Sequence, residues 1–98
     1  MNMAMVKKMQ NDMMKAQQEI EESTFIGTSA NGDISVEITG VKEVTKVTIA
    51  PALVDPDDVS FLEDLIMIAV NDANKKVDDM TEVKMGQFTG GMKIPGFI

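Results

Sequence analysis

The chain has 98 residues and no cysteine, so it has room for one domain and offers neither disulfides nor thiolate ligands for a metal. Nine lysines and no arginine stand against sixteen acidic residues, and the net charge is −7 at pH 7. Histidine is absent as well, which removes the usual general base at neutral pH and a common zinc ligand. We therefore expect no enzyme, no cofactor and no metal site.

No apolar run reaches the length of a membrane span, and polar residues interrupt the methionine-rich N-terminus where a signal peptide needs its apolar core. The lack of cysteine fits a reducing compartment. We predict a cytoplasmic protein without membrane contact. It forms a single domain over residues 1–98, with a mobile glycine-rich tail at about residues 86–98.

The first predicted element is a helix over residues 2–22. Its apolar residues recur at spacings of three and four, which is the period of one helix face: Val6, Met9, Met13, Ala16 and Ile20. This stripe fits equally a helix packed on its own domain and a dimer seam. The other methionines of this segment, Met1, Met3, Met5 and Met14, do not all fit one stripe and are open to two interpretations, a contact surface or a frayed end.

The chain then changes to a period of two, with β-branched residues on alternate positions, which predicts half-buried strands. We expect strands over residues 24–30, 33–39 and 45–49. Asn31-Gly32 between the first two is typical of a type I′ hairpin turn. Three antiparallel strands follow, with one apolar and one polar face.

A second helix is predicted from Pro56, with Asp55 as its N-cap, to about Met85, ending at Gly86. Asp57 and Asp58 favour the positive end of its dipole, so capping explains this acidic cluster better than a metal site. The predicted buried stripe consists of Leu62, Ile66, Ala69, Ala73, Val77 and Met80, widened by Leu65 and Ile68.

The length of this second helix has a consequence for shape. Thirty helical residues span about 45 Å, whereas a compact chain of this size is roughly 30 Å across. Helical arms should therefore project beyond the sheet. A single small sheet also leaves edges and apolar area that a two-fold partner can cover, so we predict a homodimer.

The charge is distributed unevenly. Residues 1–18 hold three lysines and one aspartate, residues 19–74 hold two lysines and twelve acids, and residues 75–98 hold four lysines and three acids. The middle is strongly acidic and both ends are mildly basic. Any electropositive surface must come from the two ends brought together.

Several short motifs in a fixed order resemble the YbaB/EbfC family of bacterial nucleoid-associated proteins. They are Q-Q-E-I at 17–20, V-E-I-T-G at 36–40, V-T-I-A-P-A-L-V at 47–54, the run from L-E-D-L to N-D-A at 62–73, and G-M-K-I-P-G-F at 91–97. The resemblance implies an α-β-β-β-α fold, a tweezer-like homodimer, and DNA binding that organises the nucleoid or modulates transcription. The chain departs from the family in lacking arginine and in placing Asp78-Asp79 soon after Lys75-Lys76.

The hypothesis that follows is a homodimer that binds duplex DNA at the nucleoid through lysines on projecting helices. Lysine is a point charge for phosphate, so such a site binds with low sequence specificity and strong salt dependence. The candidate DNA-binding residues are Lys7, Lys8, Lys15, Lys75, Lys76 and Lys84. The alternative is a module that binds another cytoplasmic protein, with weak or no direct DNA binding; it rests on the net charge of −7 and on the methionines.

Overall fold

The structure is a computed structural model that describes residues 3–88. It contains helix α1 (Met3–Glu22), strands β1 (Thr24–Ser29), β2 (Ile34–Thr39) and β3 (Val44–Ile49), and helix α2 (Val59–Gly86). This order confirms the predicted α+β fold. No helix within the described residues is long and apolar enough to cross a membrane. The predicted mobile tail lies outside the described residues from position 89 onward.

The three strands form one antiparallel sheet in the order β1-β2-β3. The turn between β1 and β2 has the positive φ values of a type I′ turn, 57° at Asn31 and 92° at Gly32, and the Asp33 amide donates to the Ala30 carbonyl oxygen at 3.1 Å. This confirms the predicted turn. Strand β1 ends one residue earlier than predicted, at Ser29, because Ala30 also has a positive φ, 53°.

Helix α2 covers the apolar face of β1 and β2 and encloses the main core. Phe25 from β1 and three residues of β2, Ile34, Val36 and Ile38, meet Ala69, Ala73 and Val77 of α2, and all are buried. The contact is close because β1 carries Gly27 there: a Cβ atom at that position would collide with the Ala69 carbonyl oxygen and would lie 2.7 Å from the Ala73 Cβ. Small residues on both sides fix the distance between helix and sheet.

Helix α1 packs on the C-terminal end of α2 instead of on the sheet. Ala16, Ile20 and Met85 form a second buried cluster, bordered by Met13 and Phe88. The residues from Met3 to Asp12 are exposed, apart from half-buried Val6. The described chain therefore measures 65 × 21 × 18 Å, the elongated shape expected from the helix lengths. The half of α1 that packs does so within its own domain.

The start of α2 differs from the prediction. The helix begins at Val59, not Pro56, because residues 55–58 form a turn. In this turn the Asp55 carboxylate accepts a hydrogen bond from the Asp57 amide at 2.9 Å, and the Asp55 carbonyl oxygen accepts one from the Asp58 amide at 3.0 Å. The Asp55 side chain is thus hydrogen-bonded within the turn before the helix, and Asp58 is the N-cap residue of α2.

Two residues that were predicted to be buried on α2 are exposed, Met80 to 40% and Ile68 to 50%. Met9, on the predicted stripe of α1, is also 40% exposed. In their place Thr81 and Met85 are buried. The buried residues of α2 recur at every fourth position from Ala69 to Met85, so the predicted step of three from Val77 to Met80 does not occur. Val77 packs in the core under the sheet, and Met85 packs on α1.

Candidate nucleic-acid interface

The N-terminal arm of the molecule, residues 3–15 of α1, carries three exposed lysines: Lys7, Lys8 and Lys15. The packing of Ala16 and Ile20 against Met85 fixes the helix and thereby holds the arm away from the sheet. Residues 3–11 contain no acidic side chain. The arm is therefore the part of the described chain where positive charge is least opposed.

The three arm lysines differ in their partners. Lys8 pairs with Asp12 at 3.2 Å, one helical turn away, and both side chains are largely exposed. Within residues 3–88, Lys7 and Lys15 form no ion pair with a carboxylate. These two ammonium groups can approach a phosphate without first leaving an acid.

The two basic ends of the sequence meet at the junction of the helices. Lys84 of α2 pairs with Glu19 of α1, Nζ to Oε2, at 3.1 Å. Lys15 lies one turn before Glu19 on α1. Both residues line a shallow depression on the surface, together with Phe88. The structure thus brings Lys84 to the base of the arm.

Lys75 lies in the middle of α2, away from the arm. Its Nζ atom contacts an Asp79 carboxylate oxygen at 2.8 Å across one helical turn. The hydrogen bond and the charge of Asp79 raise the pKa of Lys75. Lys75 is therefore fully protonated at neutral pH, and its charge is partly neutralised locally.

Lys76 points to the outer edge of β1. Its Nζ atom donates a hydrogen bond to the Ile26 carbonyl oxygen at 2.6 Å and lies 3.4 Å from the Asp72 carboxylate. Asp72 in turn accepts a hydrogen bond from the Thr28 amide at 2.9 Å. The Thr28 amide, and then the charge of Lys76, lower the pKa of Asp72.

The six candidate lysines therefore fall into two places. Lys7, Lys8, Lys15 and Lys84 lie along the arm and at its base, whereas Lys75 and Lys76 lie in the middle of α2, where Lys76 reaches β1 and Lys75 pairs with Asp79. Sequence reasoning missed the contacts of Asp72 and Lys76 with the strand. Their spacing of four residues predicts an ion pair on the helix, but nothing in the local sequence indicates which strand lies beside it.

The chemistry that these residues offer is electrostatic. Lysine ammonium groups bind phosphate oxygens as point charges, without reading base edges. Groups of three or more acidic residues arranged to hold a metal ion do not occur within the described part of the chain.

Several known proteins are similar to this chain over most of its length. The profile of the YbaB/EbfC DNA-binding family matches residues 1–92. A nucleoid-associated protein of Exiguobacterium sp. is 50% identical over 86 residues, which cover 88% of this chain and 82% of that protein. One from Alkaliphilus metalliredigens is 47% identical over 94 residues, covering 96% and 82% of the two chains. One from Roseiflexus castenholzii is 44% identical over 93 residues, covering 95% and 92%.

The fold also occurs among solved structures. The crystal structure of an uncharacterized protein from Helicobacter pylori superposes with a TM-score of 0.59 at 21% identity. The match covers 76% of this chain and 87% of that chain. At this identity the likeness concerns the fold alone.

Proposed function

The chain belongs to the YbaB/EbfC DNA-binding family, and we propose from this membership that it is a nucleoid-associated protein that binds duplex DNA with low sequence specificity. The match of the family profile to residues 1–92 is the observation that carries the proposal. All the described elements lie inside that range, so the activity of the family transfers to the whole fold. Curated relatives named for the nucleoid support the same location here.

The proposed DNA contacts are the six lysines, with unequal contributions. Lys7 and Lys15 contribute most because, within residues 3–88, they have no carboxylate to exchange for a phosphate. Lys8 and Lys84 contribute after leaving Asp12 and Glu19, which costs little at an exposed surface. Lys75 exchanges Asp79 in the same way. Lys76 contributes least, because its ammonium group already donates a hydrogen bond to the Ile26 carbonyl oxygen of β1.

The protein acts as a homodimer in this proposal. One chain offers only a few lysines against a net charge of −7, and a second copy doubles the number of phosphate contacts. If the arms of both chains contact the same duplex, the second arm binds intramolecularly. The affinity of the dimer for DNA then greatly exceeds that of a single arm. Exposed apolar side chains on the sheet, including Val44 and Val47, supply surface for such a partner.

A titration of labelled duplex DNA by fluorescence anisotropy tests the proposal, with light scattering to record the oligomeric state. We expect affinity to fall by about a thousandfold or more between 50 and 200 mM salt if six or more phosphates are contacted. Two unrelated duplexes of equal length should bind alike. Failure to bind at 50 mM salt contradicts the proposed activity.

The second candidate function is binding to another protein. Exposed apolar residues of the arm favour it, since Met3 is 85% and Met14 69% exposed, and methionine-rich surfaces adapt to protein partners. Capture of partners from lysate before and after nuclease treatment separates the two functions. Partners that persist after nuclease favour this alternative, and partners that vanish favour DNA.

A further inference from the structure

Helix α1 joins the sheet through a single residue. The helix ends at Glu22 and strand β1 begins at Thr24, so Ser23 alone connects them. The Ser23 amide donates to the Ile20 carbonyl oxygen at 3.1 Å, and the Ser23 Oγ atom donates to the Glu19 carbonyl oxygen at 2.6 Å. Ser23 thus binds two of the carbonyl groups that the end of a helix leaves without a helical partner. The last turn of α1 is therefore held tightly beside the strand.

The same turn of α1 lies directly against Gly40, which follows β2. A Cβ atom at position 40 would overlap the Ile20 carbonyl group and would lie 2.8 Å from the Glu21 Cα atom. Non-bonded carbon atoms are normally about 3.5–4.0 Å apart. The φ angle of Gly40 is not in the left-handed region. The backbone geometry at this position therefore permits alanine, and only the space for its methyl group is missing.

The turn that carries Gly40, residues 40–43, is braced by hydrogen bonds. The Thr39 amide donates to the Glu43 carbonyl oxygen at 2.9 Å, and the Lys42 amide donates to the Thr39 carbonyl oxygen at 2.9 Å. The Thr39 Oγ1 atom also accepts bonds from the Val41 and Glu43 amides, each at 3.3 Å. Moving the turn would break several of these bonds at once. A side chain added at position 40 therefore displaces α1 instead of the turn.

A small displacement at this contact becomes large at the end of the arm. Relief of the overlap requires the last turn of α1 to move by about 1 Å. Ile20 is three residues from Ser23 and Lys7 is sixteen, so a rotation about Ser23 moves Lys7 about five times as far as Ile20. The resulting shift of about 5 Å at Lys7 exceeds the axial spacing of phosphates along one DNA strand, about 3.4 Å.

We propose that Gly40 is a positioning residue of the DNA site: by admitting the last turn of α1 against residues 40–43, it fixes the direction of the arm. In the dimer this direction sets the spacing between the arm lysines of the two chains. The inference rests on the proposed function, because the spacing matters only where both arms contact one duplex. Gly40 acts through α1 and does not contact the DNA itself.

The distance between the two arms of the dimer tests this directly, without DNA. The chain has no cysteine, so Gln10→Cys, at an exposed position of α1, provides one site for a spin label on each arm. Electron paramagnetic resonance then measures the distance between the labels. We expect Gly40→Ala to shift this distance by several ångströms, because both arms change direction.

Ile34→Val is the matched control for a loss of stability. Ile34 lies at the opposite end of β2 from Gly40 and is fully buried in the core between the sheet and α2. Removing one methyl group there destabilises the protein by leaving a cavity. The contact between α1 and Gly40 is unaffected, so the distance between the labels should equal that of the wild type.

DNA binding provides a second readout. Gly40→Ala keeps every lysine and the net charge of −7, yet we expect it to weaken binding at least tenfold. Two arms that cannot contact one duplex together lose the affinity gained from two linked sites, which is about a hundredfold or more. The slope of log affinity against log salt should also fall towards half the wild-type value, since fewer phosphates are contacted at once. Ile34→Val, which only reduces the folded fraction, should keep the wild-type slope.

Ser23→Gly provides a second variant if circular dichroism shows that Gly40→Ala does not fold. It removes the hydrogen bond to the Glu19 carbonyl oxygen and gives the connection the backbone freedom of glycine, so the distribution of distances should broaden. An unchanged distance or an unchanged salt slope in folded Gly40→Ala overturns the assignment, as does an unchanged distribution in Ser23→Gly.

Failure of this inference is distinguishable from failure of the proposed function. A wild-type dimer that does not bind DNA contradicts the proposed function, and the distance between the arms then still decides whether Gly40 sets their direction. A monomeric wild type has no second arm and overturns the inference.

Discussion

The Nζ atom of Lys76 donates a hydrogen bond to the Ile26 carbonyl oxygen at 2.6 Å, joining α2 to a strand 50 residues earlier in the chain. Within residues 3–88, the neighbouring Lys75 makes no such contact with a strand and pairs only with Asp79, on its own helix. Two adjacent lysines, which look equivalent in the sequence, therefore have different roles. One stabilises tertiary structure, and the other is an ordinary surface charge.

This difference predicts unequal effects on stability. Lys76→Ala removes the hydrogen bond to Ile26 and the partner of Asp72, and should lower the free energy of unfolding by about 1 kcal/mol. Lys75→Ala removes only an exposed pair on one helix and should lower the free energy of unfolding much less. Urea denaturation of both variants at one protein concentration measures the two values. Equal losses would mean that the contact between Lys76 and β1 adds nothing.

The lowered pKa of Asp72 predicts a pH dependence. Asp72 has a lower pKa in the folded protein than its ordinary value of 3.8. Such a carboxyl group stabilises the fold fully at pH values above that ordinary pKa. That stabilisation is lost as the pH falls through the folded pKa. The difference in unfolding free energy between wild type and Asp72→Asn should be constant above about pH 5 and shrink at lower pH.

Denaturant titrations of wild type and Asp72→Asn from pH 2 to pH 7 provide this difference. The other carboxylates contribute equally to both proteins and cancel. A difference that stays constant over the whole range contradicts the assigned role of the Thr28 amide and Lys76.

The close contact at Gly27 predicts a severe effect from one added methyl group. Gly27→Ala places a Cβ atom against the backbone of Ala69 and Ala73, so α2 must move off the sheet. We expect a loss of about 1–3 kcal/mol in unfolding free energy. Gly86→Ala is the control, since a Cβ there meets nothing within 4 Å and favours the helix. Thermal or urea unfolding that shows no loss for Gly27→Ala contradicts the packing described.

The strands and the order of elements could be predicted because each follows a local pattern. Alternating β-branched residues, the Asn31-Gly32 turn and the period of α2 around Ala69 and Ala73 depend only on neighbours in sequence. The wrong predictions come from non-local causes. Thr81 is buried in place of Met80, one turn before Met85, and Met85 packs on α1 at the other end of the chain, a contact that the local period of α2 does not contain.

The candidate site was predictable only in part. The lysines are visible in the sequence, and a positive surface needs the two basic ends to come together, as they do where Lys84 pairs with Glu19 beside Lys15. The role of Lys76 was not predictable, because it depends on a strand 50 residues away. The long positive arm follows from the anchoring of Ala16 and Ile20 by Met85, which is a tertiary contact.

The proposed activity depends on the binding of phosphate by the arm lysines, which the salt dependence of DNA binding measures. Affinity is recorded at several salt concentrations for wild type, Lys7→Gln/Lys15→Gln, and the control Lys42→Gln/Lys46→Gln, all verified as dimers. Each phosphate contact contributes about 0.9 to the slope of log affinity against log salt. The arm variant removes two phosphate-binding lysines from each chain of the dimer, so that slope should fall by about 3.6, whereas the control should keep the wild-type slope. Equal slopes for the arm variant and the wild type would contradict the account.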